Sequence, residues 1–233
     1  MTTRSETVAR TVRVAARALG RAGLVHAYGH CSARVGETQF MVCPSRPLVH
    51  VRVGEPCTLV PVEGDLPEGV LGEVRLHQEI YRRRPDVGGV VRFMGPNLMA
   101  LAAFGRQPQM RHGFGTYFHP AVGLWNDIQL VRDDEKARGV IDAMGGSAGV
   151  LMRGNGGVTA GRTLEEAVVL AWYLEDMCRL ELAALSSDLA EAAPTIPIAE
   201  AVERATRAGR IFERMWDFLT HGDAERGDHL TQS

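Results

Sequence analysis

The chain has 233 residues, of which 45% are hydrophobic and 23% charged, a composition typical of a globular protein with a sizeable core. Its formal net charge of -2 excludes the basic excess that favours nucleic acid. The sequence contains no apolar run of membrane-spanning length and no signal-peptide pattern, and its four cysteines form no C-x-x-C pair. We therefore expect a cytoplasmic protein that binds a small molecule, with no nucleic acid or membrane as partner.

Helical and strand patterns alternate along the chain, which predicts an α/β sandwich. Hydrophobic periodicity and capping residues predict helices at residues 5–22, 72–83, 97–104, 133–144, 163–186 and about 197–219. Short apolar runs predict strands at residues 38–43, 57–61, 87–93, 150–152 and 158–160. Residues 105–131 are irregular and rich in aromatic side chains, and residues 186–197 have the composition of a linker.

Six short motifs occur in order over residues 5–185. They are the segments GHCSAR at 29–34, FMVCPS at 40–45, EVRLHQEIY at 73–81, RPDV at 84–87, RFMGP at 92–96 with RGNGG at 153–157, and GRTLEEA at 161–167. Any one of them is weak, but six in this order resemble the class II aldolase/adducin family. The resemblance implies a three-layer α/β/α sandwich around a central mixed, mostly antiparallel sheet. It also implies a homotetramer with sites at subunit interfaces.

The resemblance sets the expected domain organisation. Residues 1–190 are expected to form the class II aldolase/adducin-like domain. Residues 191–233 are expected to add a C-terminal helix and a polar tail to the same domain.

The motif that holds a divalent metal in metal-dependent members of the family is altered. Three histidines of that motif are replaced here by Arg92, Met94 and Asn155. Arginine offers no lone pair, and a thioether beside an amide oxygen suits no common metal ion. We therefore expect no metal cofactor. A divalent metal on relocated ligands, from His30 and His77 with the nearby Glu73, is the less favoured alternative.

Arg92 places a permanent positive charge where family members hold a metal ligand. A guanidinium can bind a carboxylate or stabilise an oxyanion by charged hydrogen bonds. Glu73 matches the family's acid/base glutamate, and Asn155 could donate an amide N–H to the same oxyanion. The competing interpretation is a structural ion pair between Arg92 and Glu73 in an inactive site.

The residues expected to bind substrate differ from those of sugar-phosphate aldolases in the family. The serine pair that would bind phosphate is replaced by Leu71 and Gly72, which argues against a sugar phosphate. His30, Ser45 and Arg46 still favour an anion such as a carboxylate.

Further candidates are less firmly placed by the sequence. Met94 is a candidate substrate contact, as are Tyr117 and His119 of the irregular aromatic segment. Lys136, the single lysine, lies on a charged helix face, which argues against a lysine-imine mechanism.

These features predict a metal-independent lyase that acts on a small carboxylated substrate, aromatic substrates included. Decarboxylation, retro-aldol cleavage, dehydration and cyclisation would all use an arginine to stabilise an enolate-like anion. Bacterial specialised metabolism and aromatic catabolism are the expected settings. The alternatives are a non-catalytic binding or assembly protein and a metalloenzyme with displaced ligands.

Overall fold

The computed structural model describes residues 4–187 and 189–226, which fold into helices around one sheet. The helices are α1 Arg4–Arg21, α2 Arg75–Arg83, α3 Pro96–Ala103, α4 Asp134–Met144, α5 Leu164–Ser186, α6 Ile198–Arg204 and α7 Ile211–Thr220. The strands are β1 His30–Arg34, β2 Gln39–Val42, β3 Thr58–Pro61, β4 Gly89–Phe93, β5 Gly123–Trp125, β6 Gly149–Met152 and β7 Gly156–Gly161. Short 3-10 helices lie at Leu48–His50, Gly72–Val74, Gly113–Phe118 and Ala208–Arg210.

The sheet has seven strands in the order β3-β2-β1-β4-β7-β6-β5. Every neighbouring pair is antiparallel except β5 and β6, which are parallel. The expectation of a mixed, mostly antiparallel sheet is therefore confirmed. The strands β1 and β5 were not assigned from the sequence, because β1 carries polar side chains and β5 has only three residues.

Helices cover both faces of the sheet, and the alternation of side chains in β1 shows how. The thiol of Cys31 contacts the carbonyl of Val12 in α1. The next residue, Ser32, points to the opposite face and contacts His77 of α2. Because successive side chains in a strand alternate between faces, α1 and α2 lie in different layers. The three-layer α/β/α sandwich is confirmed.

Polar caps begin two of the helices at the residues that the sequence indicates. The side chain of Thr163 accepts the backbone N–H of Glu166 and starts α5. The side chain of Asp133 accepts the backbone N–H of Lys136 at 2.8 Å and starts α4. These bonds satisfy N–H groups that the first helical turn leaves without partners.

The C-terminal segment differs from its prediction. A single helix at about 197–219 was expected, but the structure has α6 and α7 separated by residues 205–210. Gly209 adopts a left-handed conformation with φ 74°, which interrupts the helix. Of the predicted polar tail, residues 227–233 lie outside the described residues.

A buried ionic network joins this C-terminal segment to α1. Arg17 binds both carboxylate oxygens of Asp223, at 2.8 and 2.6 Å. Arg13 binds Glu225 at 2.6 Å, and Arg17 contacts the same glutamate at 2.8 Å.

Within the described ranges, no helix is long and apolar enough to cross a membrane.

Candidate functional site

A cavity of about 710 Å³ lies at one end of two central strands, where β1 begins and β4 ends. Its lining includes seven of the nine residues predicted from the sequence: His30, Ser45, Arg46, Glu73, Arg92, Met94 and Asn155. The lining also includes the apolar residues Ala27, Tyr28, Leu71 and Leu130, together with Arg132. The mixture of an apolar wall and a few charged groups is typical of a small-molecule site.

The register of the sheet places the two central residues of the cavity side by side. His30 and Arg92 are directly opposed Cα partners in the antiparallel pair β1–β4. Opposed residues project their side chains from the same face. Met94 lies two residues after Arg92 and lines the same cavity.

Arg92 is buried without a counter-ion in contact. Its residue exposure is 6%, and its Nε has no hydrogen-bond partner within the described residues. Burial lowers the pKa of the Arg92 guanidinium, and the negative charge of Glu73 partly opposes this effect. An arginine nevertheless stays protonated in proteins, so the cavity contains a buried positive charge with no carboxylate in contact within the described residues.

The ion pair between Arg92 and Glu73, which was the competing interpretation of the sequence, is not the contact that the structure shows. Glu73 instead lies with its Oε1 3.5 Å from the Nε of Arg132. Arg132 was not predicted from the sequence, because it follows the irregular segment and belongs to none of the motifs. Its guanidinium is mostly exposed, at 65%, so this contact is a weak one.

Asn155 uses its amide N–H groups to hold a neighbouring loop. Its Nδ2 donates to the carbonyls of Ile128 and Gln129 at 3.0 and 3.1 Å. These bonds fix the segment that brings Leu130 and Arg132 to the cavity. The N–H groups that were expected to face an oxyanion are therefore occupied, and Asn155 positions the loop.

Gly156 explains why this asparagine can lie beside the end of β4. Its φ is +87°, a left-handed conformation that favours glycine. A Cβ at this position would lie 2.1 Å from the carbonyl oxygen of Phe93. The turn after Asn155 therefore requires a glycine.

A chain of hydrogen bonds runs from His30 into the protein interior. His30 Nδ1 lies 2.7 Å from His77 Nε2, and His77 Nδ1 lies 2.6 Å from Ser32 Oγ. Ser32 Oγ then lies 2.9 Å from Tyr81 Oη, which also contacts the Ser32 carbonyl at 3.0 Å. His77 is thus buried with both ring nitrogens engaged, while the Nε2 of His30 has no partner in the described chain.

Burial keeps both histidines neutral. Burial, followed by the charge of Arg92, lowers the pKa of His77 to about 3. Burial, the neighbouring His77 and the charge of Arg92 lower the pKa of His30 well below its ordinary range. Each ring therefore carries one proton at neutral pH.

The cavity as a whole is positively charged. Its lining contains three arginines and one glutamate. Arg46 is paired through its Nε with Glu55 at 3.0 Å, and Arg132 faces Glu73. Arg92 therefore supplies the positive charge that remains available to an anion.

Tyr117 and His119 do not line this cavity. Tyr117 donates its hydroxyl to the carbonyl of Thr206 at 2.6 Å and packs against Tyr173 and Phe212. The aromatic segment folds onto α5 and α7 because those helices offer it apolar partners. The structure therefore does not place these two predicted substrate contacts at the site.

The residues at the family's metal position do not fit a metal ion. Arg92 has no lone pair to offer, and the Nδ2 of Asn155 is committed to backbone carbonyls. In the part of the chain that the structure describes, no three His, Cys, Asp or Glu side chains come together as a metal-binding group. His30, His77 and Glu73 are among the described residues, and they do not form such a group.

A larger cleft of about 1060 Å³ lies elsewhere on the molecule, but its charged lining has structural contacts. Arg34 donates to the carbonyls of Val87 and Tyr81, each at 2.8 Å. Its guanidinium also lies over the Tyr81 ring. The smaller cavity, with its unpaired Arg92, is therefore the better candidate site.

Comparisons with known proteins agree with this architecture. The family model of the Class II Aldolase and Adducin N-terminal domain matches residues 10–182. The crystal structure of an aldolase II superfamily protein from Pseudomonas syringae has a TM-score of 0.78 at 21% identity, and the match covers 94% of this chain and 92% of that one. This likeness confirms the fold.

The relatives with named activities include decarboxylases and a 5-methylthioribulose-1-phosphate/5-deoxyribulose-1-phosphate aldolase of Rhodospirillum rubrum, which is 31% identical over 156 residues, covering 65% of this chain and 62% of that protein. The 3,4-dihydroxyphthalate decarboxylase of Arthrobacter keyseri is 30% identical over 198 residues, covering 76% of this chain and 78% of that protein. Decarboxylase NovR of Streptomyces niveus is 30% identical over 149 residues, covering 60% of this chain and only 54% of that protein. These relatives confirm the expectation of a lyase with a decarboxylase-like character. The chain belongs to the class II aldolase and adducin family.

Proposed function

We propose that this protein is a metal-independent decarboxylase that acts on a small aromatic carboxylate. The observation that carries the proposal is the buried charge of Arg92 in the cavity, which no carboxylate contacts within the described residues. The decarboxylases among the relatives support decarboxylation as the reaction class, and the 3,4-dihydroxyphthalate decarboxylase of Arthrobacter keyseri supports an aromatic substrate.

Arg92 stabilises the negative charge that develops in this reaction. The ring carbon that bears the carboxylate is first protonated, which converts the conjugated phenolate into a dienone. When the bond to the carboxylate carbon then breaks, CO₂ leaves, and the bonding electron pair restores the aromatic ring and returns negative charge to that oxygen. A fixed guanidinium beside that oxygen lowers the barrier through charged hydrogen bonds, which act strongly in a site shielded from water.

Glu73 supplies the proton that the carboxylate-bearing ring carbon receives. In its protonated form it gives this proton to the carbon and becomes a carboxylate, and it then recovers a proton from solvent. Its side chain is 18% exposed, so water reaches it. One proton is consumed for each CO₂ released. This role agrees with the glutamate's match to the family's acid/base position.

The charge distribution also selects the substrate. Arg46 and Arg132 have acidic partners, so they guide an anion towards the cavity without binding it strongly. Arg92 lies deeper and has no partner to give up when a substrate arrives. The apolar wall of Tyr28, Leu71 and Leu130 suits the face of an aromatic ring.

The test is CO₂ release from a panel of hydroxylated benzoates and phthalates by protein dialysed against a chelator. We expect turnover without added metal, and a loss of roughly 100- to 1000-fold in kcat for Arg92→Met. Arg132→Met is the matched control, because it removes an exposed arginine of the same cavity, and its activity should fall only a few-fold.

Two results would contradict the proposal. One is turnover that appears only when a divalent metal is added. The other is undiminished turnover by Arg92→Met or Arg92→His. A protein that binds the panel compounds but converts none of them would support the non-catalytic alternative.

A further inference from the structure

Two buried polar atoms of the cavity lack partners within the described chain, and they belong to neighbouring residues of the sheet. One is Nε2 of His30 and the other is Nε of Arg92. The two residues are 3% and 6% exposed and are directly opposed in the β1–β4 pair. Buried polar atoms are rarely left without hydrogen bonds, so both atoms indicate a ligand that satisfies them.

The hydrogen-bond chain behind His30 determines what its Nε2 offers. The Ser32 carbonyl can only accept, so Tyr81 donates its single proton there. The contact between Ser32 Oγ and Tyr81 Oη then uses the serine proton. With this assignment His77 Nδ1 donates to Ser32 Oγ, and His77 Nε2 accepts from His30 Nδ1.

This order of donors leaves a bare lone pair on Nε2 of His30, a residue that lines the cavity. The neighbouring Arg92 presents an N–H, so the two unpartnered atoms are one acceptor and one donor. His77, Ser32 and Tyr81 do not reach the cavity, and they act as positioning residues that fix the tautomer of His30.

The space around His30 limits the size of the group that reaches it. A recess of about 50 Å³, lined in part by His30, Ser45 and Leu71, adjoins the main cavity. A recess of this size holds one or two water-sized groups. It accommodates a hydroxyl group and excludes a second ring.

We propose that the cavity selects substrates in which a hydroxyl group and an oxygen that carries or develops negative charge lie on adjacent carbon atoms, as in a catechol or a 2-hydroxy carbonyl compound. The hydroxyl donates to His30 Nε2, and Arg92 donates to the neighbouring oxygen. The inference rests on the proposed function, because it names the substrate class of the same site.

The alternatives satisfy only half of this pair. A carboxylate alone offers acceptors, so it would satisfy Arg92 but leave the lone pair of His30 facing a negative charge. A purely structural histidine would have both ring nitrogens engaged inside the protein, as His77 has. A site built to receive a hydroxyl discriminates against ligands that lack it, because its own polar atom then stays unpaired.

The first test reads the tautomer directly, without substrate or turnover. Long-range ¹⁵N–¹H NMR of the imidazole rings in the intact protein should show His30 protonated at Nδ1 and bare at Nε2, and His77 protonated at Nδ1. A proton on Nε2 of His30 in the free protein would overturn the inference, because that nitrogen could not accept from a hydroxyl.

The second test measures selectivity by calorimetric titration of 3,4-dihydroxybenzoate, 3-hydroxybenzoate and 4-hydroxybenzoate. We expect the dihydroxy compound to bind roughly ten-fold or more tightly than either monohydroxy compound. His30→Asn keeps an amide at the Nδ1 position for His77 but removes the cavity atom, so the preference should disappear. His30→Gln places an amide oxygen near the Nε2 position, so part of the preference should return.

His221→Gln is the matched control, because His221 is exposed and does not line the cavity. It should keep the wild-type preference. Equal binding of all three probes by the wild type, or an unchanged preference in His30→Asn, would overturn the inference. Neither result touches the proposed function, which fails separately if chelator-treated protein releases no CO₂.

Discussion

Buried arginines occur in two places, in α1 and at the cavity. They differ in whether they contact a carboxylate, and this difference distinguishes a structural arginine from a functional one. Arg13 and Arg17 of α1 are 3% and 8% exposed, and Arg92 at the cavity is 6% exposed. The α1 arginines face Asp223 and Glu225 at 2.6 to 2.9 Å, whereas Arg92 has no such contact within the described chain. Burial alone therefore does not mark a functional arginine, but burial without a partner does.

The α1 network recovers the cost of burying charge through many short bonds. Arg17 binds Asp223 through two parallel bonds, a geometry that only a guanidinium provides. The hydrogen bonds that Arg13 donates to Glu225 raise the pKa of Arg13 in spite of its burial. At the cavity no ion pair in contact offsets the free-energy cost of burying the Arg92 charge. This cost destabilises the ligand-free protein and favours binding of an anion.

The largest effect on stability is expected from the α1 set. Arg17→Met removes one partner of a buried ion pair and leaves Asp223 charged and buried, which should lower the free energy of unfolding by about 3 kcal/mol. Urea denaturation measures this change. Arg10→Met, at an exposed position of the same helix, is the control and should be nearly neutral. If the urea midpoint of Arg17→Met equals that of the wild type, the α1 arginines do not stabilise the fold, and their contrast with Arg92 disappears.

The same network should give the protein an acid-sensitive component of stability. Burial raises the pKa of Asp223, but hydrogen bonds from Arg17, from the Glu225 backbone and from Arg21 outweigh it, and the pKa falls to about 2 from an ordinary 3.8. A lowered folded-state pKa stabilises the protein above about pH 4, and this stability is lost as the pH falls towards 2. The loss is about 2 kcal/mol.

Urea midpoints measured between pH 5 and pH 2 test this expectation. Asp223→Asn should flatten the part of the profile between about pH 4 and pH 2, because it removes the titrating group. Arg92→Met should leave that part unchanged, since Arg92 takes no part in the network. A profile that Asp223→Asn does not alter would show that other carboxylates carry the acid sensitivity.

The smallest effect, and the one of opposite sign, is expected at the cavity. Arg92→Met replaces a buried, unpaired charge with an apolar side chain of similar length, which should raise the free energy of unfolding by about 1 kcal/mol while activity is lost. Chemical denaturation of purified wild type and variant measures the difference. A loss of more than about 1 kcal/mol would show that Arg92 has a structural partner after all.

The sequence predicted the residues of the site that belong to its motifs, on regular elements and in the turns beside them. His30, Glu73 and Arg92 come from a strand start, a helix start and a strand end, and regular geometry brings them together. Arg132 could not be predicted, because its place depends on a loop held by the Nδ2 of Asn155. Side-chain bonds between distant segments leave no periodic signal in the sequence.

The misplaced candidates have a similar explanation. Tyr117 and His119 lie in an irregular segment, whose path depends on the apolar surfaces of α5 and α7. The break before α7 depends on Gly209, which the helical pattern around it conceals. The role of His77 could not be predicted either, because its contact with His30 joins two elements that are distant in the sequence.

The bonds between α1 and Asp223 join residues 206 positions apart in the chain. During synthesis, α1 leaves the ribosome long before residues 223–225. Its arginines therefore stay solvated, without these carboxylate partners, until the remainder of the domain has emerged. Closing a loop of this length costs conformational entropy, which the bonds of the network must offset. The ionic network therefore joins α1 to the C-terminal segment only after that segment has been synthesised. A chain stalled before residue 223 would lack it.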